Sequence, residues 1–153
     1  MQIIRVSIVF LSFTFSIFSW ADDHSQIEPI QVVINAQTGL TSLSRKQVMS
    51  LFLGRSRNFP NAQTAKAFDH KVDSDIRKRF FETLTGKTIS DIDAYWARLR
   101  YSGRASPPKE LEDVEAVLKE VMSNKHSIAY VTGQDTEALA KQGIVVVYTL
   151  GNH

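Results

Sequence analysis

An α/β domain is the fold class this sequence predicts, with a mixed, mainly parallel sheet of about four or five strands flanked by helices. Two observations and one general rule carry that reading. Short runs rich in Ile and Val, at residues 30–36, 127–131 and 144–150, alternate with segments whose apolar residues recur at helical spacing. The short, mostly apolar stretch 65–68 runs straight into a helix start at Asp73 or Ser74, after which Ile76, Phe80 and Leu84 recur on one helical face. Alternation of strands and helices generally builds a mainly parallel sheet in two or three layers.

Taken in order, residues 30–36 form the first strand and Gln37-Thr38-Gly39 breaks it with turn chemistry. Ser44 with Gln47 three residues on is a capping box, and Val48, Leu51 and Phe52 make the buried stripe of a short helix closed at Gly54. The polar loop 55–61 follows, its Arg55 and Arg57 read as solvated cations. The helix after the 65–75 junction ends at Gly86. Ser90 with Asp93 is expected to begin the next, whose Ile92, Tyr95, Trp96 and Leu99 share one face. Trp96 is thereby a core residue, and Arg98 and Arg100 fall in the last turn before Gly103. Ser106-Pro107-Pro108 forbids helix, after which Leu111, Val114, Leu118 and Val121 mark a further amphipathic helix. Two strands close the domain, the second apolar enough for a central place in the sheet.

Residues 1–21 are of another kind: Arg5, an uncharged and mainly apolar run over residues 6–18, then Ser19-Trp20-Ala21. This reads as a secretory signal peptide cleaved after Ala21, since a run of thirteen residues falls short of the roughly 20 a membrane helix needs. The 153-residue chain less its first 21 residues leaves 132, residues 22–153, enough for one domain with a real core. That portion carries 17 Lys and Arg against 16 Asp and Glu, a balance that points neither to nucleic acid nor to an acidic membrane surface. The sequence contains no cysteine, so there is no disulfide framework, and an exported chain of this kind fits a bacterial periplasm.

The four histidines, His24, His70, His126 and His153, lack the spacing of a metal site, and the seven glycines never cluster as a phosphate or dinucleotide loop. No cofactor, metal or catalytic residue is expected. His70, Asp73 and Ser74 do not form a triad, because three side chains so close in sequence at a helix start cannot be aimed at one point. The residue pattern favours a binding module over an enzyme. A helix N-terminus gathers unpaired N–H groups and the positive end of the dipole, so the junction after residue 70 is where an anion would sit.

Four segments in order resemble a known family: Leu43-Ser44-Arg45 through Phe52-Leu53-Gly54-Arg55, then Asp75-Ile76-Arg77-Lys78-Arg79-Phe80. The third is Ala94-Tyr95-Trp96-Ala97-Arg98-Leu99 with Ser102-Gly103-Arg104 and Pro107-Pro108, and the fourth Ile128-Ala129-Tyr130-Val131. The chain is similar to small stand-alone phosphate-binding-like proteins, short exported relatives of the substrate-binding component of phosphate ABC importers. The resemblance spans about residues 30–148 and implies a single type II periplasmic-binding-protein lobe. In the full-length proteins the strand-to-helix turn carries an Arg followed by Ser-Gly-Thr, which hold part of the phosphate. The matching positions here are His70 and Ser74, Asp75 and Ile76, with Arg77 next. The resemblance therefore implies an oxyanion seat at Ser74, Asp75, Ile76 and Arg77 with help from His70, weakened by the like charge of Asp75. Such proteins close two lobes over the ligand, and this chain has residues for one. The alternative expectation is a module that docks on a membrane sensor or transporter without binding solute.

Overall fold

The computed structural model describes residues 28–151; the expected signal peptide lies outside the described residues. The chain runs β1 (Ile30–Asn35), a 3-10 turn (Ala36–Thr38), α1 (Arg45–Phe52), β2 (Lys66–His70), α2 (Asp75–Thr85), α3 (Ile89–Tyr101) and β3 (Lys109–Leu111). It ends with α4 (Val114–Ser123), β4 (Ser127–Thr132), α5 (Thr136–Lys141) and β5 (Ile144–Leu150). The five strands form one sheet in the order β3-β2-β4-β1-β5. β2 pairs parallel with β3 and β4, while β1 pairs antiparallel with both β4 and β5. Four of the five strands thus share a direction and β1 alone opposes them, so the expected mixed, mainly parallel sheet is what forms.

Side-chain alternation along the central strands settles the layers at three. Val32 and Ile34 of β1 with Ile128 and Tyr130 of β4 face a core closed by Val48 and Phe52 of α1, Phe80, Phe81 and Leu84 of α2, and Ile92 and Trp96 of α3. Val33, Ala129 and Val131 face the other way, onto Val117 and Val121 of α4 and Leu139 of α5. Phe80 stacks on Tyr130 with ring centroids 3.7 Å apart, and Phe52 meets both rings edge-on, so the core beneath the middle of α2 is aromatic.

Some boundaries differ from the sequence reading. β5 is an edge strand, not a central one: β1, buried at all six positions, takes the place between it and β4. The apolar content of β5 reports helices packed on its faces and says nothing of a second ladder. α3 begins earlier than Ser90, with Thr88 as cap and Asp91 completing the capping box. Asp93, expected in that box, is turned toward Arg77. Leu111 belongs to β3, and α4 starts after it with Asp113 as its cap. α5 went unforeseen. The strand expected over residues 65–68 extends to His70, which draws Asp69 and His70 into the buried sheet.

Candidate functional site

The site is built where β2 hands the chain to α2. Phe68 ends the apolar run on the α4 side of the sheet. Asp69 and His70 follow, only 3% and 4% exposed, and burial of such groups demands internal partners. His70 Nε2 lies 2.8 Å from the Tyr130 carbonyl oxygen, with its ring 4.9 Å from the Tyr130 ring. Asp69 Oδ1 accepts the His70 N–H at 2.8 Å and the Tyr130 hydroxyl, while Oδ2 accepts Nε of Arg77 at 3.0 Å. Arg77, 4% exposed, donates further to Asp93 Oδ1 at 2.7 Å and to the Val72 carbonyl at 3.3 Å. Its guanidinium also lies 5.4 Å from the Phe81 ring centre.

These groups perturb one another. Burial raises the Asp69 carboxyl above the usual aspartate range, and hydrogen bonds from Tyr130 and Arg77 offset this only in part. Burial, together with the neighbouring Asp69 charge, pushes the Tyr130 phenol well above its ordinary value. Burial works against the Arg77 charge, but Asp93 and Asp69 more than compensate and hold its proton tightly. One buried cation is therefore shared between two carboxylates.

Past the strand, residues 71–73 turn in solvent and Ser74 takes the N-cap position of α2 with extended backbone. Its hydroxyl donates 2.7 Å back to the Lys71 carbonyl and caps nothing. That sets α2 apart: α1, α3, α4 and α5 are each capped by a side-chain oxygen, from Ser44, Thr88, Asp113 and Asp135. The first-turn amides of α2, at Asp75, Ile76 and Arg77, have no side-chain acceptor among the described residues, while the regular ladder begins with the Lys78 N–H on the Ser74 carbonyl. The α2 turn thus gathers the main chain of Ser74, Asp75, Ile76 and Arg77. It does not bring the His70 ring or the Arg77 side chain to the same point, since both are bonded within the protein.

Surface charge around the turn is unfavourable to anions. Asp73 and Asp75 are exposed there, and Lys71 is paired with Glu112 at 2.6 Å. A cleft of about 260 Å³ beside the turn is lined by Asp69, Asp93 and Glu110 against only Arg77 and Arg100. Asp69, Asp93 and Tyr130 are the residues sequence reasoning missed. The one local signal was an Asp-His pair closing an apolar strand, because Asp93 and Tyr130 arrive from elements far along the chain. Among the described residues no three His, Asp or Glu side chains gather as metal ligands, and no helix is long and apolar enough to cross a membrane.

No protein-family model matches the chain, and no curated relative does. Solved structures with the same fold do exist. A protein of Clostridium perfringens described as a phosphate ABC transporter substrate-binding protein, solved with bound phosphate, superposes with a TM-score of 0.58 at 13% identity, over 78% of this chain and 44% of that one. An ABC-type phosphate transport receptor from Vibrio cholerae gives 0.58 at 12%, over 78% and 45%. PstS from Borrelia burgdorferi gives 0.61 at 10%, over 78% and 46%. This chain has the fold of a single lobe of such proteins and spans less than half of their length.

Proposed function

We propose that the chain is an exported, periplasmic solute-binding-like protein that holds a small oxyanion, phosphate foremost, on the main-chain amides of Asp75, Ile76 and Arg77. The observation that carries this is the uncapped first turn of α2, in a fold shared with a protein solved with phosphate bound. Ser74 contributes by holding the turn open, since its hydroxyl is spent on Lys71 and leaves the amides free. The role is binding and not catalysis. Affinity is low, because Arg77 is already neutralised by Asp69 and Asp93 and Asp75 adds a like charge.

That same neutralised guanidinium favours a second reading, in which the lobe docks on a membrane transporter or sensor through this face and takes no solute. Calorimetric titration of the mature protein with phosphate, sulfate and acetate separates the two. Under the first reading Asp75→Gly tightens phosphate binding by about 1–2 kcal/mol, the scale of one nearby like charge in a partly screened site. If wild type and Asp75→Gly both ignore every oxyanion at millimolar concentration, the solute reading fails and docking replaces it.

A further inference from the structure

We infer that the outer face of α3 is a self-association surface, on which a second copy of this chain docks antiparallel to form a two-fold dimer. Ile92 and Trp96 turn α3 toward the core. Opposite them Ser90, Ala94, Ala97 and Tyr101 stand at i, i+4, i+7 and i+11, all four exposed. The strip carries no charge, its middle is a pair of alanines, and Tyr101 closes it at 98% exposure. A helix face that meets only water ordinarily carries charged or polar side chains there. Alanines let a second helix approach closely, and tyrosine is among the residues enriched in protein interfaces.

Charge on the two flanks decides what docks. Asp91 and Arg98 line a groove of about 190 Å³ on one side of the strip, and Asp93 and Arg100 line the acidic cleft on the other. Each aspartate is seven residues from its arginine, about 10 Å along the axis, too far to meet within the helix. Among the described residues neither arginine is in a salt bridge. Asp91 uses Oδ2 on Thr88 and Asp93 uses Oδ1 on Arg77, which leaves each a second oxygen. Acid at the start and base at the end suit the dipole of any single helix. The dipole accounts neither for the bare strip between them nor for Tyr101. A second α3 laid antiparallel, with the two-fold axis level with the Tyr95–Trp96 peptide, brings Ala94 to the partner's Ala97 and Tyr101 to the partner's Ser90. Arg98 then meets the partner's Asp91 on one flank and Arg100 the partner's Asp93 on the other, each twice by symmetry. A parallel pair would set aspartate on aspartate and arginine on arginine, so the pattern selects orientation as well as partner. One helix face is a small interface, and the dimer is accordingly weak. No α2 amide takes part, so this inference does not depend on the oxyanion seat.

The test is sedimentation equilibrium of a chain of residues 22–153 from about 10 μM to about 1 mM, the range in which so small an interface associates. A monomer–dimer equilibrium is expected. Arg98→Glu/Arg100→Glu and Tyr101→Ala, all at exposed positions and checked for unchanged thermal unfolding, should each weaken it by about tenfold. Lys119→Glu/Lys125→Glu, an equal change of net charge at exposed positions in and just after α4, should leave it unchanged. Because the sequence contains no cysteine, single-cysteine variants under mild oxidation read the orientation. Ala94→Cys should form a disulfide between copies, since both thiols lie near the axis, and Ser90→Cys, at opposite ends of the pair, should not. A monomer throughout, association untouched by the α3 variants, or equal weakening by the α4 variant would overturn the inference. So would Ser90→Cys cross-linking as readily as Ala94→Cys.

Discussion

Arg77 shows how a side chain that reads as a ligand in one dimension becomes structure in three. From the sequence it is a cation in the first turn of a helix next to an anion seat. In the fold it bridges Asp69, next to the end of the preceding strand, and Asp93, in the second turn of the following helix. Breaking a buried ion pair from one side leaves the other charge uncompensated, so Arg77→Met should cost about 3–5 kcal/mol at neutral pH. The loss depends on pH in a definite sense. Burial already raises the Asp69 carboxyl, and removing its cation raises it further. A carboxyl that holds its proton more tightly folded than unfolded contributes stability at low pH, lost as pH rises through its folded value. The deficit of Arg77→Met should therefore shrink as pH falls toward the ordinary aspartate range. Urea unfolding of variant and wild type across that range checks this; a deficit independent of pH, or under about 1 kcal/mol at neutrality, would mean that Asp69 escapes to solvent.

At the scale of elements, five helices with five N-caps make an internal comparison. Ser44 and Thr88 accept from the amides of Gln47 and Asp91, whereas Ser74, in the same position on α2, accepts from none. Ser44→Ala or Thr88→Ala should cost about 1 kcal/mol in denaturant unfolding, and Ser74→Ala, which removes no capping bond, only about a few tenths. Equal losses at all three positions would mean that Ser74 caps α2 in solution and that its amides are not free. The same elements show what a sequence can and cannot convey. The Ser44–Gln47 box and the stripe through Ile92 and Trp96 were legible because capping chemistry and helical periodicity are local. β3, three residues, and α5, six, are too short to establish a period. The α2 turn was legible for the same local reason, and the Asp69–Arg77–Asp93 bridge was not, because ion pairing across elements leaves no periodic trace. The place of β5 at the edge was likewise set by β1, from the far end of the chain.

At the scale of the whole molecule, the lobe spans under half the length of the proteins it resembles, yet both faces of its sheet are covered by its own helices. Nothing in either core waits for a second lobe: Phe52, Phe80 and Tyr130 on one side and Val117, Val121 and Leu139 on the other are all buried by residues of this chain. The two cores share the strands β1 and β4, so neither helix layer can come away without uncovering the sheet that supports the other. Equilibrium unfolding of a chain of residues 22–153 should therefore be a single cooperative transition. Without residues 1–21, Trp96 is the sole tryptophan, and it reports the α1–α3 side alone. Far-UV circular dichroism reports all helices, including α4 and α5. The two probes should give coincident transitions in urea with the same midpoint and slope. If fluorescence melts first while helicity persists, the α1–α3 layer is held loosely on the sheet, and a partner closing over the α2 face would then complete the fold as well as the site.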